Sequence, residues 1–244
     1  MGNIKVSLVD YTGKSDEHEG PAHYAAALLA FTKNTRLQMS PDGFRFWYEK
    51  HYEGLMIELA YMASTIPSSW EFVDLTFSIE NVTRACAQQI TRTRTASFAM
   101  QSQRVTDVSE MGFRVPPHSK RPERIDLAAT KMMATYATLI GDGEEPEDAR
   151  AVLPMNIQCN LLAKYNLRNW IDVIKARQSL RAQDEYREVA DQMVAAVLEV
   201  YPWARLFLVP AQHKAINIIE EIAATLPTDQ KRALAKAADL IRKG

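Results

Sequence analysis

The sequence predicts a single mixed α/β (α+β) domain that is rich in helix and has a small central sheet. Two observations indicate this class: only a few short segments alternate apolar and polar residues, while most of the chain repeats apolar residues every three or four positions. The chain has 244 residues, 47% of them hydrophobic and 24% charged, which is enough to bury a substantial core. Because we find no internal repeat, low-complexity tract or linker, we assign residues 1–244 to one domain with a C-terminal helical extension at about 211–244.

The first eighty residues predict a strand, two helices and a second strand. The segment "IKVSLVDYT" (4–12) alternates and is rich in β-branched residues, which favours a strand that ends at Gly13. Pro21 opens a segment rich in alanine and leucine, typical of a helix over 21–34. Ser40 is suited to cap one long amphipathic helix over 41–65. The alternating run "WEFVDLTFSIEN" (70–81) predicts the second strand.

The remainder of the chain is predicted to be almost wholly helical. The segment "VTRACAQQIT" (82–91) has helical spacing and delivers Arg92 to a helix end or turn. The stretch 106–123 contains "VPPHSKRP" and is predicted to be a loop. Five further helices are predicted, over about 124–141, 146–163, 166–178, 180–200 and 213–242.

The overall charge excludes some classes of partner. Net charge is −1 and the pI is about 6.5, so we expect no general nucleic-acid-binding surface, and any binding of polyanions must be local. No apolar run approaches membrane-spanning length and the N-terminus resembles no targeting signal, so we expect a cytoplasmic protein without a membrane partner. Cys86 and Cys159 have no ligand neighbours at metal-site spacing, which favours two buried thiols and no metal site.

One basic segment has the composition of a phosphate site. Residues 81–106 contain no acidic residue, where the composition would give about three. Four arginines in this gap stand among Ser, Thr and Gln, which offer neutral hydrogen bonds; they are Arg84, Arg92, Arg94 and Arg104. Guanidinium forks with hydroxyl donors beside them suit a phosphorylated small molecule, although a solvated basic face has the same composition.

A second concentration of polar residues lies in "NLRNWIDVIKARQSLRAQDEYRE", which begins at Asn166. On a helix, Asn166 and Arg177 share a face, with Asp172 beside it, so they could line one site. The alternative is an exposed helix with ordinary surface charge pairs, such as one between Arg181 and Glu185.

Several segments together resemble the flavin-dependent thymidylate synthases. Arg92-Thr93-Arg94, seven residues and then Ser102 follow the frame of the family signature, Arg-His-Arg, seven residues and Ser. The lead-in "TFSIENVTRACAQQI", the continuation "SQR", "ARAVLPMN" (149–156) and the segment from Asn166 resemble other family segments. They occur in family order from about residue 5 to residue 190, beginning with the opening strand "VSLVDYT".

This resemblance implies an α/β core in a homotetramer whose active sites are shared between subunits. It implies FAD as cofactor, methylenetetrahydrofolate as carbon donor, NAD(P)H as reductant and a pyrimidine nucleoside monophosphate as substrate. Arg177 and Ser102 would be catalytic, with Arg177 against the pyrimidine. The residues that resemble the nucleotide-binding set are Gln89, Arg92, Ser102, Arg104, Arg150 and Arg177. Those that resemble the flavin-binding set are Arg94, Thr93, Asn166, Asp172, Ser68 and Glu71.

The sequence also departs from the family pattern. Thr93 replaces the signature histidine, Ile66 and Phe72 replace both histidines of a His-x-Ser-x-x-Glu-His segment, and Asp172 stands where asparagine is usual. Val105 replaces a tyrosine beside the nucleotide arginine, which would leave room near the sugar. The leading hypothesis is therefore C5 methylation of dUMP and of UMP. Three alternatives stay open: methylation of another pyrimidine nucleotide such as dCMP, hydroxymethylation, and a non-catalytic nucleotide-binding homologue.

Overall fold

Four antiparallel strands form one sheet in the computed structural model, which describes residues 2–33, 39–179 and 181–208. The strands are β1 (Lys5–Tyr11), β2 (Asp74–Thr83), β3 (Ser97–Met100) and β4 (Gln158–Asn166), and their order across the sheet is β1-β2-β4-β3. Strands β2 and β4 are central, and Phe77 pairs with Ala163 at the middle of their register. The predicted mixed class with a small sheet is confirmed.

Side chains alternate between the two faces of this sheet. In β2, Leu75, Phe77 and Ile79 are fully buried, and in β4 Ala163 and Tyr165 lie on the same covered side. Residues between them point to the opposite, solvent-facing side; Lys164, for example, is exposed and pairs with Asp74. The helices therefore cover one face of the sheet, and the main core lies between that face and the helices.

Nine α-helices lie within the described residues. They are α1 (Pro21–Lys33), α2 (Pro41–Tyr48), α3 (Tyr52–Thr65), α4 (Arg84–Ile90), α5 (Pro122–Gly141), α6 (Pro146–Ala149), α7 (Leu167–Arg177), α8 (Asp184–Val200) and α9 (Arg205–Leu208). Helices α7 and α8 supply much of the core, through residues such as Trp170 and Met193. Helix α5 packs on a second, smaller cluster around Tyr136. None of these helices is long and apolar enough to cross a membrane.

The predicted helix over 146–163 is wrong. Helix α6 ends after one turn and a short 3-10 turn follows at Arg150–Val152, because Pro154 cannot continue a helical ladder. From Gln158 onward the segment belongs to β4, whose backbone pairs with β2 on one side and with β3 on the other. Strand β3 was not predicted either.

The predicted helix over 41–65 is interrupted after Tyr48. Ser40 caps α2 as expected, with its Oγ accepting from the Gly43 amide at 3.3 Å. At the other end, His23 Nε2 donates to the carbonyl oxygen of Tyr48 at 2.7 Å. This contact from α1 gives the Tyr48 carbonyl a partner at the end of α2, before α3 begins at Tyr52.

The remaining boundaries differ less. The second predicted strand begins at Asp74 rather than at 70, because Pro67–Phe72 forms a 3-10 turn. The predicted loop over 106–123 is confirmed up to the start of α5 at Pro122. The predicted C-terminal extension at about 211–244, including the helix over 213–242, lies outside the described residues.

Candidate active site

The arginine signature lies in the segment that leaves α4, residues 91–96, here called the signature loop. The last turn of α4 continues into it, since the amides of Arg92 and Thr93 donate to the carbonyls of Gln89 and Ile90 at 3.3 and 3.2 Å. Asn169 on α7 then donates its Nδ2 to the Thr95 carbonyl at 2.8 Å. The loop is therefore attached to α4 at one end and to α7 at the other.

The position of α4 is fixed by a buried carboxylate. Glu185, only 7% exposed, accepts from the backbone amide of Thr83 at 2.6 Å and from its hydroxyl at 2.7 Å. The same hydroxyl oxygen accepts from the amide of Cys86 and so caps α4. We call this the Glu185–Thr83 clamp. It joins the beginning of α8 to the beginning of α4, and the alternative in which Glu185 forms a surface pair with Arg181 is wrong.

Most of the residues that resemble a flavin-binding set lie around the N-terminal half of α7, whereas Thr93 lies at its other end, beside Tyr186. Asn166 caps this helix by accepting from the Asn169 amide at 2.9 Å. Arg168 binds Glu71 at 2.6 Å and so attaches the 3-10 turn Pro67–Phe72 to the same corner. Ser68, in that turn, is exposed.

Two further members of that set lie close by. Arg94 is exposed in the signature loop and has no hydrogen-bond or ion-pair partner among the described residues. Asp172 is exposed on the outer face of α7, whereas its neighbours Ile171 and Val173 are buried.

Arg177 lies at the opposite end of α7. Eleven helical residues separate it from Asn166, a distance of about 16 Å at the usual helical rise. Asn166 and Arg177 therefore lie on one face of α7 but at its two ends, and their side chains do not line a single small site within one chain. The Arg177 guanidinium is half-buried, and its central carbon lies 4.5 Å from the ring centroid of Tyr186.

Gln89 and Thr93 lie beside this end of α7. Gln89, in the last turn of α4, donates its side-chain amide to Gln183 just before α8. Thr93 is half-buried, and its hydroxyl is close enough to that of Tyr186 to affect the pKa of the phenol. Arg92, which is exposed, has no side-chain partner among the described residues.

Ser102, Arg104 and Arg150 form a separate group beside α6. Ser102 Oγ accepts from the Arg104 amide at 3.1 Å, which leaves the serine proton free to donate. Arg104 Nε lies 3.8 Å from a carboxylate oxygen of Glu147, and Arg150 Nε donates to the Glu147 carbonyl at 3.0 Å. The two guanidinium groups therefore meet at one residue, and both are exposed.

No hydrogen bond or ion pair connects this group to Arg177 or Gln89 in the part of the chain that the structure describes. The predicted nucleotide residues thus form two groups, one at the C-terminal end of α7 and one at α6. Each group presents unneutralised or weakly paired guanidinium beside neutral donors, an arrangement suited to a phosphorylated, planar ligand.

Neither cysteine has the surroundings of a nucleophile. Cys86 and Cys159 are both buried and unbridged. Burial raises the pKa of Cys159 to about 11 and raises that of Cys86 further. Both therefore stay protonated at neutral pH, as the sequence predicts for core thiols.

The sequence did not predict several residues that lie at the site. Tyr186 and Tyr165 are fully buried beside Arg177, and Asn169 holds the signature loop. Glu147 brings Arg104 and Arg150 together. Asn169 and Tyr186 lie in the segment quoted from Asn166, but the resemblance gave neither of them a role.

The fold is that of a mixed α/β protein, and its candidate site is rich in arginine and divided into two groups. Residues 8–203 match the family model described as thymidylate synthase complementing protein. The flavin-dependent thymidylate synthase of Thermococcus onnurineus is 31% identical over 218 residues, which cover 83% of this chain and 84% of that relative.

Two other curated relatives carry the same name. The protein of Saccharolobus solfataricus is 29% identical over 211 residues, 84% of this chain and 75% of the relative. That of Geobacter sulfurreducens is 36% identical over 138 residues, 54% of this chain and 60% of the relative.

The chain belongs to the flavin-dependent thymidylate synthase family. Members of this family are methyltransferase enzymes that use FAD, methylenetetrahydrofolate and NAD(P)H. The family resemblance drawn from the sequence is confirmed.

Proposed function

We propose that this chain methylates C5 of a uridine monophosphate, with dUMP as substrate and UMP as a second substrate. Methylenetetrahydrofolate would supply the carbon, bound FAD reduced by NAD(P)H would supply the hydride that completes the methyl group, and C5 would lose a proton. The observation that carries this proposal is the position of Arg177 beside the signature loop.

Arg177 is suited to the pyrimidine. Its guanidinium is permanently protonated, half-buried and free of any acidic partner among the described residues. Attack by C5 places negative charge on the pyrimidine ring, and a fixed cation in a partly desolvated position lowers the energy of that state. Gln89, on the adjacent end of α4, is placed to donate a neutral hydrogen bond to the same nucleotide.

The group at α6 is suited to the phosphate. Arg104 and Arg150 can each provide two parallel N–H donors, and the Ser102 hydroxyl adds a second kind of donor. Since no hydrogen bond or ion pair connects this group to Arg177 among the described residues of one chain, we propose that a second copy completes the site. Arg92, exposed and unpaired in the described chain, would face that copy in a homotetramer.

The corner at the N-terminus of α7 fits a flavin nucleotide. Arg94 provides an unpaired cation among the described residues, and Ser68 provides a neutral hydroxyl. Asn166 uses only its Oδ1 to cap α7, so its side-chain amide group remains able to donate. Glu71 is neutralised by Arg168 and does not repel a pyrophosphate, while Asp172 lies one turn further along the helix.

The chemistry requires no thiolate from the chain. Both cysteines are enclosed by the core and protonated, so they cannot attack C6 of a pyrimidine. Activation of C5 must therefore come from electrostatic stabilisation by Arg177 and from positioning of the two substrates.

Transfer of an isotopic label tests the proposal. Purified protein would be incubated with FAD, NADPH and methylenetetrahydrofolate labelled at the methylene carbon, together with dUMP, UMP or dCMP in separate reactions. We expect label at C5 of methylated dUMP and UMP by mass spectrometry, and none with dCMP.

The possible products separate the open alternatives. A hydroxymethyl product would show that the chain hydroxymethylates the base instead of methylating it. Activity on dUMP without activity on UMP would exclude UMP as a second substrate. Tight nucleotide binding without label transfer to any of the three would show a non-catalytic homologue. Arg177→Ala should abolish transfer, while Arg181→Ala, a change outside both groups of nucleotide residues, serves as the matched control.

A further inference from the structure

Tyr186 provides the only ring contact of Arg177 in the described chain. It lies in the first turn of α8 and its side chain is fully buried. The Arg177 guanidinium carbon is 4.5 Å from its ring centroid, well inside the range of a cation–π interaction. Because Tyr186 follows Glu185 directly, the Glu185–Thr83 clamp also fixes where this ring lies.

The surroundings of the Tyr186 hydroxyl keep the ring neutral. Burial raises the pKa of the phenol, and the neighbouring Thr93 hydroxyl and Arg177 charge offset this only in part. The hydroxyls of Tyr186 and Tyr165 are both buried, and neither reaches a partner at full hydrogen-bond geometry. Tyr186 therefore offers Arg177 an uncharged π face rather than a phenolate.

This difference matters for a cation that must act on a substrate. A carboxylate beside Arg177 would orient it but would also neutralise it and compete with charge on the pyrimidine. A π face holds the guanidinium plane and leaves its N–H donors and its charge available. No acidic side chain pairs with Arg177 among the described residues, so the ring is the element that can orient it.

We propose that Tyr186 is a positioning residue that holds the Arg177 guanidinium over its ring in the orientation that meets the pyrimidine, with Thr93 of the signature loop against the Tyr186 hydroxyl. The inference rests on the proposed function, since it assumes that Arg177 contacts the nucleotide. Tyr186 is then needed to hold Arg177 in position and does not itself contact the substrate.

A double-mutant cycle tests this role. The dissociation constant of dUMP would be measured by calorimetry for the wild type, Tyr186→Leu, Arg177→Ala and the double variant. If Tyr186 acts through Arg177, Tyr186→Leu weakens binding by about 3- to 30-fold, the range of a partly buried cation–π contact. In the Arg177→Ala background the same change should have no further effect. Equal weakening in both backgrounds, or none in either, would overturn the positioning role.

A second series avoids variants that lose the ring. Tyr186→Phe keeps the π face, so binding should stay within about 3-fold of the wild type. Placing trifluorophenylalanine at position 186 withdraws electron density from the face without a large change of shape, and should weaken binding relative to Tyr186→Phe. Equal affinity of these two variants would exclude the π contact.

The control is Tyr201, another fully buried tyrosine, whose hydroxyl donates to the Thr12 carbonyl far from both arginine groups. Tyr201→Leu should lower the melting temperature as Tyr186→Leu does but leave dUMP affinity unchanged. If Arg177→Ala binds dUMP like the wild type, the assignment of Arg177 in the proposed function fails. If Arg177→Ala weakens binding and the cycle is additive, only the role of Tyr186 fails.

Discussion

Replacing Thr83 by valine should destabilise the fold severely, although the two side chains have almost the same shape. The Thr83 hydroxyl donates to a buried carboxylate oxygen of Glu185 at 2.7 Å, and a hydrogen bond to a charged group contributes about 1.5–3 kcal/mol. The hydroxyl oxygen also caps α4 through the Cys86 amide, which is worth about 1 kcal/mol. Valine removes both contacts and leaves a buried carboxylate oxygen without a partner, so we expect a loss of about 3–5 kcal/mol.

Equilibrium unfolding in urea at a fixed protein concentration measures this loss, because subunit association would otherwise change the apparent stability. In a thermal scan the same change should lower Tm by about 6–20 °C for a chain of this length. Thr83→Ser keeps the hydroxyl and should cost less than about 1 kcal/mol. If valine and serine at position 83 differ by less than 1 kcal/mol, the clamp does not contribute as the geometry indicates.

Three further predictions concern the site and the thiols. Glu147→Gln removes the carboxylate that competes for Arg104, so the affinity for dUMP, measured by calorimetry, should rise a few-fold. The free energy of unfolding should change by less than about 0.5 kcal/mol, and weaker binding of dUMP would contradict this prediction. Because burial raises the pKa of Cys159 to about 11, a chromogenic disulfide should react with the native protein at pH 8 only after denaturant is added, and a fast native phase would be inconsistent with an enclosed thiol. Asn169→Ala removes the hydrogen bond to the Thr95 carbonyl, so amide hydrogen exchange in the signature loop should become about 5- to 10-fold faster. An unchanged exchange rate would refute this role of Asn169.

The sequence predicted those elements whose pattern is local. Pro21 and Ser40 mark the starts of helices α1 and α2, and the alternating runs before Gly13 and Thr83 form β1 and β2. Strand β4 was mistaken for helix because the exposed Leu162 interrupts the alternation of Leu161, Ala163 and Tyr165, and because a short helix precedes it. At the break after Tyr48 the carbonyl of Tyr48 is bound by His23, a residue of another helix, and no local pattern contains that contact.

The candidate site shows the same difference between residues found from local patterns and residues that only the fold reveals. The family signature identified the arginines and Ser102 because they keep fixed spacing within short segments. Tyr186 and Glu185 could not be found in this way, since their partners Arg177 and Thr83 lie on other elements. A glutamate in a charged segment is usually solvated, and only the fold shows that this one is enclosed and bound to the backbone.

Helix α7 places limits on how this protein can change in evolution. It separates Asn166 from Arg177, and a single inserted or deleted residue between them would turn one end relative to the other by about 100° and shift it along the axis by about 1.5 Å. Substitutions on its exposed side preserve that spacing, whereas a length change would move Arg177 relative to the corner around Asn166. Natural variation in chain length should therefore accumulate in the turn between α5 and α6, at Asp142–Glu145, and not in α7.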